Sequence, residues 1–115
     1  MSNVIYDKSV EFAVDILKLA KELRRLKEYE IANQILRSGT SIGANVAEAK
    51  YAQGRKDFNA KMAIARKEAN ETLYWLTLLA KAEVMPKETL RSFANEATQI
   101  LKILTSIIKT SNDNL

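Results

Sequence analysis

Residues 37–48, Arg-Ser-Gly-Thr-Ser-Ile-Gly-Ala-Asn-Val-Ala-Glu, are the most informative stretch of the chain. They lie inside a long amphipathic helical pattern, yet they put small and polar residues where a bundle core belongs. Arg37, Ser41, Asn45 and Glu48, with Ala44 beside them, recur at three-to-four-residue spacing and so stack on one side of a helix. Gly39 and Gly43 each cost about 1 kcal/mol relative to Ala in a helix interior. Close approach of another backbone is the simplest compensation. The stretch points to packed helices and to no reaction.

Working outward, the helix that holds it spans about residues 30–52. Ile31, Ile35, Ser38, Ile42, Asn45 and Ala49 form a heptad-like seam with two polar members. Gly54 is the natural break. A third helix over about 55–81 carries Phe58, Met62, Ala65, Ala69, Thr72, Leu76 and Leu79 at unbroken four-three spacing. Pro86 disfavours a helical residue before it and suits the first turn of a fourth helix over about 87–110. The inner side of that helix is Leu90, Phe93, Ala97, Ile100, Leu101, Leu104, Ile107 and Ile108. The first helix reads as 7–27, with Val10, Ala13, Val14, Leu17, Ala20 and Leu23 as its stripe, and residues 111–115 read as a frayed tail. Ile5, Phe12, Ile16, Leu19, Leu26, Leu36 and Leu78 are then surplus apolar residues beyond one stripe. Four such helices with short turns predict an all-α, up-down-up-down antiparallel four-helix bundle, a single domain over residues 1–115.

Composition narrows the function. A chain of 115 residues buries roughly 65% of its unfolded surface, enough for a core without metal or disulfides. Cysteine and histidine are both absent. Disulfides, thiolate metal sites and the commonest general base go with them. No apolar run approaches the ~18 residues of a membrane span, and the N-terminus has no signal-peptide core, so the expected compartment is the cytoplasm. No catalytic, cofactor or metal site is assigned, and the chain is expected not to be an enzyme.

The formal net charge of +4 is unevenly placed. Lys50, Arg55, Lys56, Lys61, Arg66 and Lys67 fall within residues 50–67 against Asp57 alone. Such a segment is either an ordinary solvated helix face or a footprint for phosphates.

If the second and third helices form an antiparallel hairpin centred near Gly54, Arg37 lies opposite Glu71, Ser41 opposite Lys67 or Glu68, and Asn45 opposite Ala63 or Ile64. Arg37, Ser41, Asn45, Glu48, Glu68 and Glu71 then form a polar seam, because buried charges left unpaired cost several kcal/mol. The structural reading is that the seam sets helix register, with Gly39 and Gly43 letting the helices come close. The functional reading is an anion or metal site. Di-iron carboxylate bundles use Glu-x-x-His spacing, and here Glu68-x-x-Glu71 has no histidine to complete it. A magnesium site of Glu48, Glu68 and Glu71 is the remaining variant. Trp75 reads as a core or interface residue, with base stacking as the alternative.

Arg37 through Ala49, then Lys56-Asp57-Phe58, then Lys67-Glu-Ala-Asn-Glu-Thr-Leu-Tyr-Trp-Leu76 resemble the bacterial four-helix-bundle proteins encoded in intervening sequences of 23S ribosomal RNA genes. The likeness runs from about residue 8 to residue 110. It implies a homo-oligomer, commonly a ring of five, and kinship with the accessory protein of diversity-generating retroelements, a basic barrel that binds nucleic acid and a reverse transcriptase. It implies no established biochemical activity. The leading expectation is therefore a non-enzymatic oligomeric scaffold whose basic surface around residues 50–67 contacts RNA or DNA. A protein–protein adaptor without nucleic-acid binding is the alternative, and a carboxylate-metal hydrolase a remote one.

Overall fold

The computed structural model describes residues 4–113. Helices α1 (Val4–Arg25), α2 (Tyr29–Ala49), α3 (Arg55–Lys81) and α4 (Lys87–Asp113) follow one another through short turns, and the described residues contain no strand. Each helix packs on the next, and α4 returns beside α1 to complete an up-down-up-down four-helix bundle of 47 × 20 × 19 Å.

Local chemistry sets the helix ends, and several differ from the expected ones. Helix α1 begins at Val4, before Asp7, and stops at Arg25, because Lys27 adopts φ 65°. The Glu28 N–H then donates to the Leu23 carbonyl at 2.8 Å and the Lys27 N–H to Arg24 at 2.9 Å, which caps the free carbonyls in a Schellman arrangement. Glu83 at φ 56° closes α3 the same way, with Val84 N–H on the Leu79 carbonyl at 3.1 Å. Helix α2 ends at Ala49, not Ala52, since Tyr51 and Ala52 bond back three residues, to Glu48 and Ala49, in tighter turns. Gly54 at φ 154° starts α3, a backbone conformation that side chains rarely adopt. Asp57 supports that start by accepting the Gln53 N–H at 3.2 Å. Helix α4 continues to Asp113, so residues 111–113 of the expected tail are helical, while 114 and 115 lie outside the described residues.

The core follows the sequence stripes closely on α3, where Met62, Ala65, Ala69, Thr72, Leu76 and Leu79 are buried. On α4 Leu90, Ala97, Ile100, Leu104 and Ile108 are buried. Helix α1 keeps Ala20 and Leu23 of its expected stripe buried and Ala13 half-buried, and overturns the rest. Its buried side is Ile5, Ser9, Phe12, Ile16, Leu19, Ala20 and Leu23, whereas Val10, Val14 and Leu17 are 41%, 44% and 45% exposed. The larger side chains win the interior because burying each contributes about 1.5–3 kcal/mol, and Phe12 and Ile16 offer more area than valine.

Candidate functional site

The polar seam joins α2 to α3 through Arg37. Its Nη1 donates to the Glu68 carboxylate at 3.2 and 3.3 Å, and its Nη2 pairs with Glu71 Oε2. Trp75 Nε1 donates to that same Glu71 oxygen at 3.0 Å. Side-chain exposure is 49% for Arg37, 29% for Glu71 and 13% for Glu68, so the seam is a half-buried flank and not an interior site. The Arg37 guanidinium, followed by the Trp75 N–H, holds the Glu71 carboxyl below its ordinary value, and Glu71 in turn raises Arg37.

The other expected members stand apart from this cluster. Ser41 Oγ donates to the Arg37 carbonyl at 2.6 Å, and Asn45 Nδ2 to the Ser41 carbonyl at 2.8 Å, both within α2. Glu48 pairs with Lys61 at 3.0 Å. It sits eleven residues beyond Arg37, ~16 Å along the helix, so Glu48 does not join Glu68 and Glu71 in one carboxylate set. Among the described residues no three acidic side chains gather to hold a cation. A buried pair that sequence reading left in the stripes is Ser38 with Thr72, hydroxyls 2.9 Å apart. Thr72 Oγ1 is also 2.8 Å from the Glu68 carbonyl. With one proton per hydroxyl, Thr72 donates to that carbonyl and accepts from Ser38.

The glycines serve a different neighbour from the expected one. A Cβ on Gly39 would stand 2.8 Å from Ile16 Cγ2, and one on Gly43 3.3 Å from Ser9 Cβ. Both contacts are to α1, so the small residues of 37–48 admit α1 while Arg37 clasps α3. Arg24 Nη2 donating to Asn33 at 2.8 Å extends the α1–α2 contact. The exposed Val10, Val14 and Leu17 lie on the outer side of α1, opposite the enclosed Phe12, on the helical line that leads to Arg24. Half-buried Leu36, Thr40 and Ala47 share the Gly43 flank of α2. These six side chains are uncharged, and none of them is fully buried.

The basic segment is divided. Lys50, Arg55, Lys56 and Lys67 are exposed, Arg66 is half-buried, and Lys61 turns to α2 to meet Glu48. Lys50 Nζ sits 5.9 Å from the centroid of the Tyr51 ring. Trp75 is half-buried and packs edge-on against the exposed Tyr74, ring centroids 5.0 Å apart. No described helix is long and apolar enough to cross a membrane.

Residues 1–106 match the family described as 23S rRNA-intervening sequence protein. The chain is also similar to a protein of unknown function from the S23 ribosomal protein family of Bacteroides thetaiotaomicron VPI-5482, known from a 1.70 Å crystal structure. The two are 55% identical, with a TM-score of 0.90 over 91% of this chain and 98% of that one. No curated protein matches.

Proposed function

Because the chain belongs to the 23S rRNA-intervening sequence protein family, we propose that it is a non-enzymatic, oligomeric scaffold that associates with RNA through a basic surface near residues 50–67. The observation that carries this reading is the exposure of Lys50, Arg55 and Lys56 at one end of the bundle, with Lys67 exposed midway along α3. Lysine and arginine that neutralise phosphates release counterions, which supplies sequence-independent affinity.

Oligomerisation is the second part of the proposal. The uncharged side chains of Val10, Val14 and Leu17 on α1, with Leu36, Thr40 and Ala47 on α2, are the surface a second copy would cover. Copies arranged in a ring of five, as the family resemblance implies, would repeat the cationic surface and convert weak contacts into avidity. The Arg37–Glu68–Glu71 clasp has a structural role in this reading, holding α2 and α3 in register. The cytoplasm is the proposed compartment.

The test is fluorescence anisotropy with a structured RNA at about 50 mM salt, run beside light scattering on the same sample. Binding that falls steeply with salt, by an intact oligomer, is the expected result. An intact oligomer that fails to bind rejects the RNA reading and leaves a protein adaptor, whose partner would stay attached after nuclease treatment.

A further inference from the structure

We infer that the nucleic-acid footprint is the outer face of the α3–α4 hairpin, and that it fits the phosphate backbone of duplex RNA. This rests on the nucleic-acid reading above and deepens it: the principal contacts lie on α3–α4, and the cations of residues 50–67 add a secondary contribution. The hairpin register is set at one end by Asn59 Nδ2 donating to Asn112 Oδ1 at 2.9 Å. At the other end Leu76 and Lys81 of α3 and Lys87, Leu90 and Arg91 of α4 line one open groove of about 500 Å³. The two helices therefore present a common face along their length.

Cations populate that face from end to end. On α4, Lys87 and Arg91 are four residues apart, Arg91 and Lys102 eleven, Lys102 and Lys109 seven, spacings that keep all four on one side. They span ~33 Å at 1.5 Å per residue. Arg66 and Lys81 border them from α3. Among the described residues none of these six has an ion-pair partner.

The carboxylates of the hairpin point elsewhere. Glu68 and Glu71 are engaged by Arg37 of α2, and Glu96 faces Asp15 and Glu11 of α1. Glu83 and Glu88 at the turn end and Asp113 at the other end are the carboxylates that dilute the positive face. The 50–67 segment, by contrast, spends Lys61 on Glu48 and splits across two flanks.

The face also lacks a row of aromatics. Tyr6 and Tyr29 belong to α1 and α2, Tyr51 to the following turn, and only Tyr74 borders the hairpin face. Successive bases of a single strand need such a row to stack on. A straight, rigid line of cations over ~33 Å suits a stiff duplex read through its phosphates.

The experiment compares the full chain with Arg91→Glu plus Lys102→Glu and with Lys50→Glu plus Lys61→Glu, titrating a duplex RNA of about 20 base pairs from 50 to 200 mM salt. The first variant is expected to lose about tenfold or more in affinity and to lower the log–log salt slope by about two. The second stays within about threefold of the parent. Circular dichroism checks folding, and Arg91→Ala plus Lys102→Ala, a milder change, shows the same slope reduction. If the Lys50/Lys61 variant loses binding while the Arg91/Lys102 variants keep it, the face is wrong and the nucleic-acid reading survives. Equal affinity for one strand of the same RNA overturns the duplex assignment, and binding to phosphatidylserine vesicles but to no RNA overturns the partner class. A parent chain that binds no RNA at the lowest salt removes the nucleic-acid reading itself.

Discussion

Arg37 of α2 and Trp75 of α3 meet at one atom, Glu71 Oε2, which accepts from the guanidinium and from the indole N–H. A charge pair this exposed is screened by solvent, and its stabilising contribution is small. The indole hydrogen bond adds what an exposed pair lacks, because it ties the carboxylate to a half-buried ring.

Glu71→Gln keeps an acceptor for Trp75 and loses the charge, so it should cost about 0.5–1 kcal/mol in urea unfolding. Glu71→Ala removes the acceptor that Arg37 and Trp75 share and should cost about 1 kcal/mol more. Trp75 fluorescence should shift only in the alanine variant. Since folding lowers the Glu71 carboxyl, its contribution is present above the ordinary carboxylate range and is lost as pH falls through the depressed value.

Glu96 behaves in the opposite sense. Burial raises its carboxyl first, then the charge and hydrogen bond of Asp15 and the charge of Glu11, against a smaller opposing effect of Lys8. A raised acid is favoured in the folded state while protonated. Its stabilisation is therefore present below the ordinary value and lost as pH rises through the elevated one. Glu96→Gln should raise the Tm at pH 7.5 by on the order of 2 °C and leave it unchanged near pH 4. A uniform shift at both pH values would mean that the carboxylates of α1 and α4 do not repel one another.

Gly39 and Gly43 should separate under alanine substitution. Alanine gains about 1 kcal/mol in helix propensity at either site. At Gly39 the new Cβ meets Ile16 at 2.8 Å, on a side chain already buried on all sides. Overpacking of this kind costs about 1–3 kcal/mol, so Gly39→Ala should be net destabilising. At Gly43 the nearest atom is Ser9 Cβ at 3.3 Å, on a flank that remains half-open, and the two effects nearly cancel. In an Ile16→Ala background the penalty at Gly39 should shrink, because both Cγ contacts are removed and only the residue-16 Cβ, 3.2 Å away, remains. A double-mutant cycle in chemical denaturation reads this directly.

The four-helix architecture was legible because α3 carries one unbroken apolar stripe, Met62 through Leu79, whereas its outer apolar residues, Ile64, Tyr74 and Leu78, are interrupted by Lys67 and Glu71. Helix α1 carries two such stripes. Val10, Val14 and Leu17 keep helical spacing as faithfully as Phe12, Ile16 and Leu23, and periodicity alone does not say which side meets the bundle. Ser9 hides the buried stripe further, since its hydroxyl is satisfied within α1 by donating to the Ile5 carbonyl at 2.7 Å. The same local bonding removes Ser41 and Asn45 from the seam, where hairpin geometry had placed partners for them across the interface. That geometry did carry Arg37 to Glu71. It would also have carried Glu48 to Lys61, had Lys61 not been grouped with the basic segment. Charge composition gives the number of cations but not their helix face, so the outer side of α4 stayed out of view.

The exposed α1 stripe carries the last prediction. If Val10, Val14 and Leu17 face a second copy, placing charge among them should break the assembly without unfolding the protomer. Their side chains are already more than a third exposed, so Val14→Glu plus Leu17→Glu removes little core packing and should leave the helical circular dichroism signal intact. In the assembly the same carboxylates would be buried without partners, which costs several kcal/mol per interface. Light scattering should then report a protomer mass for the variant and a multiple of it for the parent. Phe12→Glu, on the opposite side of α1, should instead unfold the chain, because Phe12 is fully enclosed. A parent chain that scatters as a monomer would place the stripe in water, and the ring would lose its physical basis.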